Sequence, residues 1–391
     1  MKVVNEKLQL ITDIWNTLIL EQEYLKSILK FDKDKKSNYF GEVMHYLNDT
    51  FPIISDHKSK TQESGQFHNY ILYITGLLQA LYVQQDLLDE LLILFNLEKS
   101  NDNNKYLIRK IRNELIGHPI NKSKDKKLRS SVFWLADLSY ENIRYRKYKN
   151  GKWEQSETIN LQVSDLIEKH TDFILKNMNI ILNQQEKILT SYKSKLTSLL
   201  KLLNKNTTDY TKLCGDLNTY VSSLNNYSLG FSIEYYEKAI KLQSNNIRYE
   251  FYINHFTQIL NGYLHDLVKN IDEFVSRING TYVNPYSSKD FTKVIFVDDI
   301  PDCDNNDSVL IPYDNPTIEK NVSSTSNSYN YIISKLTEQK HTEYIDLLIN
   351  EHKNNSTLIT ELINMKNALK NANNFEYYCS LIYVKNTLKN N

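Results

Sequence analysis

The run from Ile108 to Pro119 holds the residues best suited to chemistry: Arg112, Asn113 and His118. An imidazole titrates near neutrality, so His118 can take or give a proton during a reaction. A guanidinium is a permanent cation with a planar fork of donors. Arg112 can therefore hold a phosphate while charge develops on it. Asn113 can orient His118 or bind phosphate itself.

These groups need a scaffold. Leu107, Ile108, Ile111, Leu115 and Ile116 recur at helical spacing, which predicts a helix over residues 104–117 with one buried side. At about 100° per residue, Arg112 flanks one edge of that side and His118 the other, with roughly 9 Å of helical rise between them. Gly117 followed by His118 and Pro119 predicts the stop, because a residue before proline avoids the helical region. Between Asn101 and Trp153 there are fourteen Lys or Arg against five Asp or Glu, a net of +9 by subtraction. This is the strongest charge segregation in a chain whose formal net charge is zero.

Arg112, Asn113 and His118, with five residues between Arg and His, resemble the signature of the HEPN superfamily. That signature is an Arg, a polar residue and then a His near a helix end. The upstream segment from Leu78 to Asp86 is similar to the long helix that precedes the motif in members of this family. The resemblance covers about residues 1–195. It implies a metal-independent endoribonuclease acting as a homodimer or a higher even oligomer, with two copies of the motif forming one composite site. The RNA 2′-hydroxyl would serve as nucleophile, with Arg112, Asn113 and His118 as catalytic residues and no metal or other cofactor. The products would carry a 2′,3′-cyclic phosphate and a 5′-hydroxyl. By family analogy the setting is a bacterial toxin or an anti-phage response. Some HEPN toxins carry a Tyr two residues after the His, which a partner enzyme modifies. Ile120 stands there in this chain, which argues against that mode of neutralisation. The alternative reading is a non-catalytic helical scaffold or RNA-binding module that keeps the fold.

Flanking residues extend the candidate site. Lys110, Lys122, Lys124, Lys126, Lys127 and Arg129 suit RNA phosphates and would make binding salt-dependent. The run after the motif equally fits a solvated loop. Arg144 and Arg146 alternate with tyrosines, and Trp153 follows, so this segment can stack bases or form an ordinary exposed hairpin. Gln85 and Asp86 interrupt or border an apolar stripe. They would line the composite site, or make hydrogen bonds in the core or at a dimer interface. His170 lies on an apolar stripe and reads as a core histidine. Asp298, Asp299, Asp302, Asp304 and Asp307 read as an acidic surface loop rather than a metal site.

The remaining pattern is mainly α. A HEPN-like bundle with a small β-hairpin insertion at about 130–162 fills residues 1–198. A second, mostly helical domain of unassigned role, able to hold an inhibitor or sensor partner, fills 199–391. Apolar stripes predict helices over 5–30, 38–48 (ending before Pro52), 66–97 and from 164 past 194. Further helices are expected over 209–224, 233–242, 248–278, 326–339, 342–354 and 358–371. Strands are expected over 131–138, 142–149 and 152–161, with Asn150 and Gly151 as a tight hairpin turn. An extended segment at 293–300 interrupts the second half.

Apolar residues make up 41% of the chain, enough for a sizeable core, while the few glycines (9) and prolines (6) favour long helices. Cys214, Cys303 and Cys379 are far apart and odd in number, which fits a reducing compartment better than a disulfide framework. The first residues predict no secretory leader, and no apolar run is long enough to span a bilayer. A cytoplasmic location is expected.

Overall fold

The computed structural model describes residues 2–29, 39–57, 66–122, 128–134, 137–149, 152–204, 210–226, 231–281 and 338–389. It is mainly helical with one small sheet. The chain divides into two compact units, one of residues 1–227 and 261–282, the other of 228–260 and 283–391.

The first unit opens with α1 (Lys2–Ile14), a π-helical turn (Trp15–Ile19) and α2 (Glu23–Ile28). The sequence suggests one unbroken helix here. Trp15 and Leu18 in this turn are both buried, and Trp15 stacks on Phe40 with centroids 4.0 Å apart. Gln22 then takes an extended conformation. Its buried side chain donates to the Tyr263 hydroxyl at 2.9 Å and accepts from Ser223 at 3.0 Å.

Helix α3 (Tyr39–Ser55) runs through Pro52 rather than ending before it. Proline removes one donor and crowds the carbonyl four residues back. Burial of Phe51 and Ile54 keeps the last turn helical, and the Asp56 N–H donates to the Pro52 carbonyl at 2.9 Å. Helix α4 (Phe67–Leu94) buries Ile74, Leu78, Leu81, Leu88 and Leu92, the expected stripe.

Helix α5 (Asn103–Arg112) is capped by Asp102, whose side chain accepts from the Asn104 N–H at 2.8 Å. Helix α6 (Val163–Asn204) closes the bundle with 42 residues. Its stripe includes Phe173, Ile174, Met178 and Ile181, all buried. Helix α7 (Tyr210–Tyr220) and a short 3-10 turn (Ser222–Asn226) follow.

Between α5 and α6 lies a four-stranded antiparallel sheet in the order β1-β2-β3-β4. Its strands are β1 (Ile120–Lys122), β2 (Leu128–Phe133), β3 (Asn142–Lys149) and β4 (Lys152–Gln162). This enlarges the expected hairpin insertion. Strand β1 falls where a basic loop is the natural reading, and β2 starts and ends earlier than expected. Asp137, with φ of 64°, lies in the left-handed region and cannot extend β2. Strands β3 and β4 match expectation, paired from Asn142 opposite Gln162 to Lys149 opposite Lys152. Asn150 and Gly151 lie outside the described residues.

The second unit contains α8 (Ile233–Leu242), the first part of α9 (Ile247–Ile278), α10 (Glu338–Glu351), α11 (Ser356–Lys370) and α12 (Asn374–Lys389). Ile345, Leu358, Leu362, Met365 and Val384 form its core with neighbours from the last three helices. Arg248 bridges the Glu361 and Glu376 carboxylates at 3.4 and 2.8 Å. Helix α12 has no counterpart among the expected helices. Of the segment 326–339 only the last two residues are described, and they open α10. The extended segment 293–300 and the five aspartates from Asp298 to Asp307 lie outside the described residues, as does Cys303. Cys214 and Cys379 are buried free thiols. Among the described residues no helix is long and apolar enough to cross a membrane.

Candidate functional site

Helix α5 carries the site because its apolar side is held firmly. Ile108, Ile111 and Leu115 are buried. Lys105 pairs with Asp89 inside the unit, each side chain under a tenth exposed. Arg109 pairs with Asp86 of α4. These contacts fix which side of α5 meets α4, and hence where Arg112 points.

Arg112 is half-buried and held on several sides. Its Nε and one terminal nitrogen donate to the Gln79 side-chain oxygen at 3.2 and 3.1 Å. The other terminal nitrogen donates to Asn113 Oδ1 at 3.1 Å. The guanidinium carbon lies 4.6 Å from the centroid of the Tyr82 ring, a cation–π distance. Arg109 lies at the same distance from that ring. A guanidinium has five N–H groups, and three are used in these bonds. Subtraction leaves two without a hydrogen-bond partner among the described residues. The cation is thus positioned and still able to grip an anion.

The chain from Asn113 to Gly117 forms a π-helical turn. The His118 N–H closes it by donating to the Asn113 carbonyl at 2.7 Å. Such turns inside α-helices often occur at functional sites. Here the turn brings Gly117 against the guanidinium: a Cβ on Gly117 would lie 2.6 Å from an Arg112 nitrogen and 3.2 Å from Asn113 Oδ1. His118 leaves the helix with φ of −143° and is exposed. Arg112, Asn113 and His118 are therefore gathered around a single turn.

Directly after His118 the chain enters the sheet. The Ser131 N–H donates to the Pro119 carbonyl at 2.7 Å, one position before β1. Glu114 ties the same turn to β3. It accepts from the Tyr145 hydroxyl at 2.9 Å and pairs with Lys147 at 2.6 Å. Burial first, then the Glu114 carboxylate, push the Tyr145 hydroxyl well above its usual range, so it stays a donor.

The other expected residues are spread around this centre. Lys110 and Arg129 are exposed. Arg144 forms an ion pair with Asp137. The Arg146 guanidinium lies 3.5 Å from the Trp134 ring centroid. Lys122 belongs to β1 by its backbone. Its side chain, with Trp153 and the whole of Lys124, Lys126 and Lys127, lies outside the described residues.

Asp86 reaches the group through Arg109. Gln85 is fully buried, and neither of its amide atoms has a hydrogen-bond partner among the described residues. His170 is fully buried, with Nε2 2.8 Å from Gln84 Oε1. Gln84 in turn donates to Thr50 at 2.9 Å.

Four contributors escape sequence reasoning. Gln79 and Tyr82 sit on α4, and nothing in their local spacing marks them. Glu114 looks like any charge on a solvated face. Gly117 reads as a helix stop, and its second role as room for Arg112 appears only in three dimensions.

No family model matches the chain, and no curated protein and no solved structure matches it.

Proposed function

We propose that this protein is a metal-independent endoribonuclease, in which two copies of the Arg112–Asn113–His118 turn meet to form one site. The observation that carries this reading is the pre-set guanidinium. Arg112 is locked by Gln79, Asn113 and Tyr82 yet keeps donors to spare, and it lies one π turn from an exposed imidazole.

The chemistry follows from these groups. RNA supplies its own nucleophile, the 2′-hydroxyl. The His118 of one copy takes its proton as the 2′-oxygen bonds to phosphorus. The His118 of the second copy gives a proton to the departing 5′-oxygen as the phosphorus–oxygen bond breaks. Arg112 binds the non-bridging oxygens where negative charge accumulates. Asn113 fixes Arg112 through its oxygen and so serves as a positioning residue. The products are a 2′,3′-cyclic phosphate and a 5′-hydroxyl. The substrate class is RNA, whether transfer, ribosomal or messenger. The setting that suits such an activity is cytoplasmic growth arrest, as a toxin or in anti-phage defence, with the second unit free to receive an inhibitor or sensor.

Incubation of the purified chain with total transfer and ribosomal RNA in EDTA tests the proposal. Cleavage is expected to persist, to rise with protein concentration as dimers form, and to vanish in His118→Ala and Arg112→Ala. A requirement for divalent metal, or wild-type rates in His118→Ala, would overturn it. Binding without any cleavage would instead identify a non-catalytic RNA-binding module.

A further inference from the structure

The sheet beside the site has two unlike faces. Residues paired across an antiparallel ladder point the same way, and the direction alternates along each strand. Tyr145 and Ile143 are buried, and Tyr145 and Lys147 reach Glu114, so their face packs on the helices. The opposite face looks outward. Ile120 is 70% exposed and Val132 53%. Thr158 and Asn160 are exposed as well.

The register sets what this outer face displays. One row runs Ile120, Ser130, Tyr148, Ser156. The next runs Val132, Arg146, Thr158. The Ser131-to-Pro119 hydrogen bond extends the β1–β2 ladder by one residue, to Pro119 opposite Ser131, and His118 is the residue of the chain just before it. A further bond, from the Trp134 N–H to the Arg144 carbonyl at 2.9 Å, adds Trp134 on the same side. Trp134 lies under the Arg146 guanidinium, and Tyr148 stands one row away.

We infer that this outer face binds single-stranded RNA and delivers it to His118. Unpaired bases need flat partners, and Tyr148, Trp134 and the planar Arg146 guanidinium offer them. The phosphates need cations, and Arg146 lies in the strongly basic segment of the chain. A duplex hides its base faces and gains little from such a surface. The inference rests on the endoribonuclease reading for its direction, since His118 directly precedes the Pro119 that joins the ladder, but binding is measurable without cleavage.

The test uses the full chain carrying His118→Ala, so that bound RNA stays intact. The probes are a fluorescent mixed-sequence RNA oligonucleotide and the same strand annealed to its complement. The single strand is expected to bind more tightly than the duplex. Tyr148→Ala should weaken single-strand binding roughly 5- to 100-fold, the usual range for loss of one base–aromatic stack. Val132→Glu changes a side chain already in solvent, leaves the packed face untouched and should weaken binding by repulsion. Arg146→Ala should lower the slope of log affinity against log salt by about one.

Equal affinity for duplex and single strand, or unchanged affinity in both Tyr148→Ala and Val132→Glu, overturns the inference. Dissociation of a dimer by Val132→Glu with RNA affinity unchanged would assign the face to a second copy and also overturn it. The two readings separate cleanly. Lost binding in these variants with no cleavage by wild-type protein leaves the surface and removes the nuclease. Metal-free cleavage with unaltered binding in the variants does the reverse.

Discussion

Gly117 shows how finely the site depends on single atoms. A methyl group there would lie 2.6 Å from an Arg112 nitrogen, well inside contact distance. The clashing atom is the end of a flexible side chain, so the guanidinium swings away and the fold survives. Gly117→Ala should therefore melt at the wild-type temperature while losing about 100-fold in RNA cleavage, the order expected for misplacing a group by about 1 Å. Thermal melting and a cleavage time course on the same preparation check this. Wild-type cleavage would show that the guanidinium position is not what limits the reaction. Arg112, Asn113 and His118 are legible in the sequence because they are near neighbours at one helix end. Gln79 is not, because its bond to Arg112 spans 33 positions and depends on how α5 docks on α4.

At the scale of elements, local pattern explains success and failure alike. Helices α4, α6, α8 and α9 follow from long apolar stripes, and strands β3 and β4 from alternation around a turn signal. Strand β1 has three residues, Ile120, Asn121 and Lys122, too few to show a period. Only its pairing with β2 makes it a strand. The turn of α3 beyond Pro52 is likewise a tertiary effect, since buried Phe51 and Ile54 outweigh proline's cost. Gln85 interrupts the stripe of α4, and the structure places it fully inside with neither amide atom partnered among the described residues. Gln85→Met keeps the shape and removes the unmet polarity. It should stabilise the chain by about 1–2 kcal/mol in urea unfolding. Destabilisation would reveal a hidden partner for the amide, such as an internal water.

For the molecule as a whole, acid is the informative stress. His170 joins α6 to α4 through Gln84, and Gln84 joins α4 to α3 through Thr50. Burial pushes the His170 imidazole down to about 3. The Gln84 amide nitrogen is engaged with Thr50, so its oxygen faces the ring and accepts the Nε2 proton. Nδ1 is then the bare nitrogen, and it has no hydrogen-bond partner among the described residues. An unfolded histidine titrates near about 6.5. Between these two values the unfolded chain binds a proton that the folded chain refuses. Stability is complete above about pH 6.5 and is lost as pH falls below it, by about 1 kcal/mol at about pH 5.5. His57 is also pushed down by burial and adds in the same direction. Urea titrations at several pH values check this, and His170→Met should flatten the curve. A wild-type profile flat across that window would mean that the core admits the charge.

Pro119 has no amide hydrogen, so the first tether between the imidazole-bearing corner and the sheet is its carbonyl, gripped by the Ser131 N–H at 2.7 Å. This amide is the backbone latch of the corner, beside the side-chain ties from Glu114 to Tyr145 and Lys147. The rate at which deuterium enters it reports how often the edge strand peels back and His118 loses its bearing.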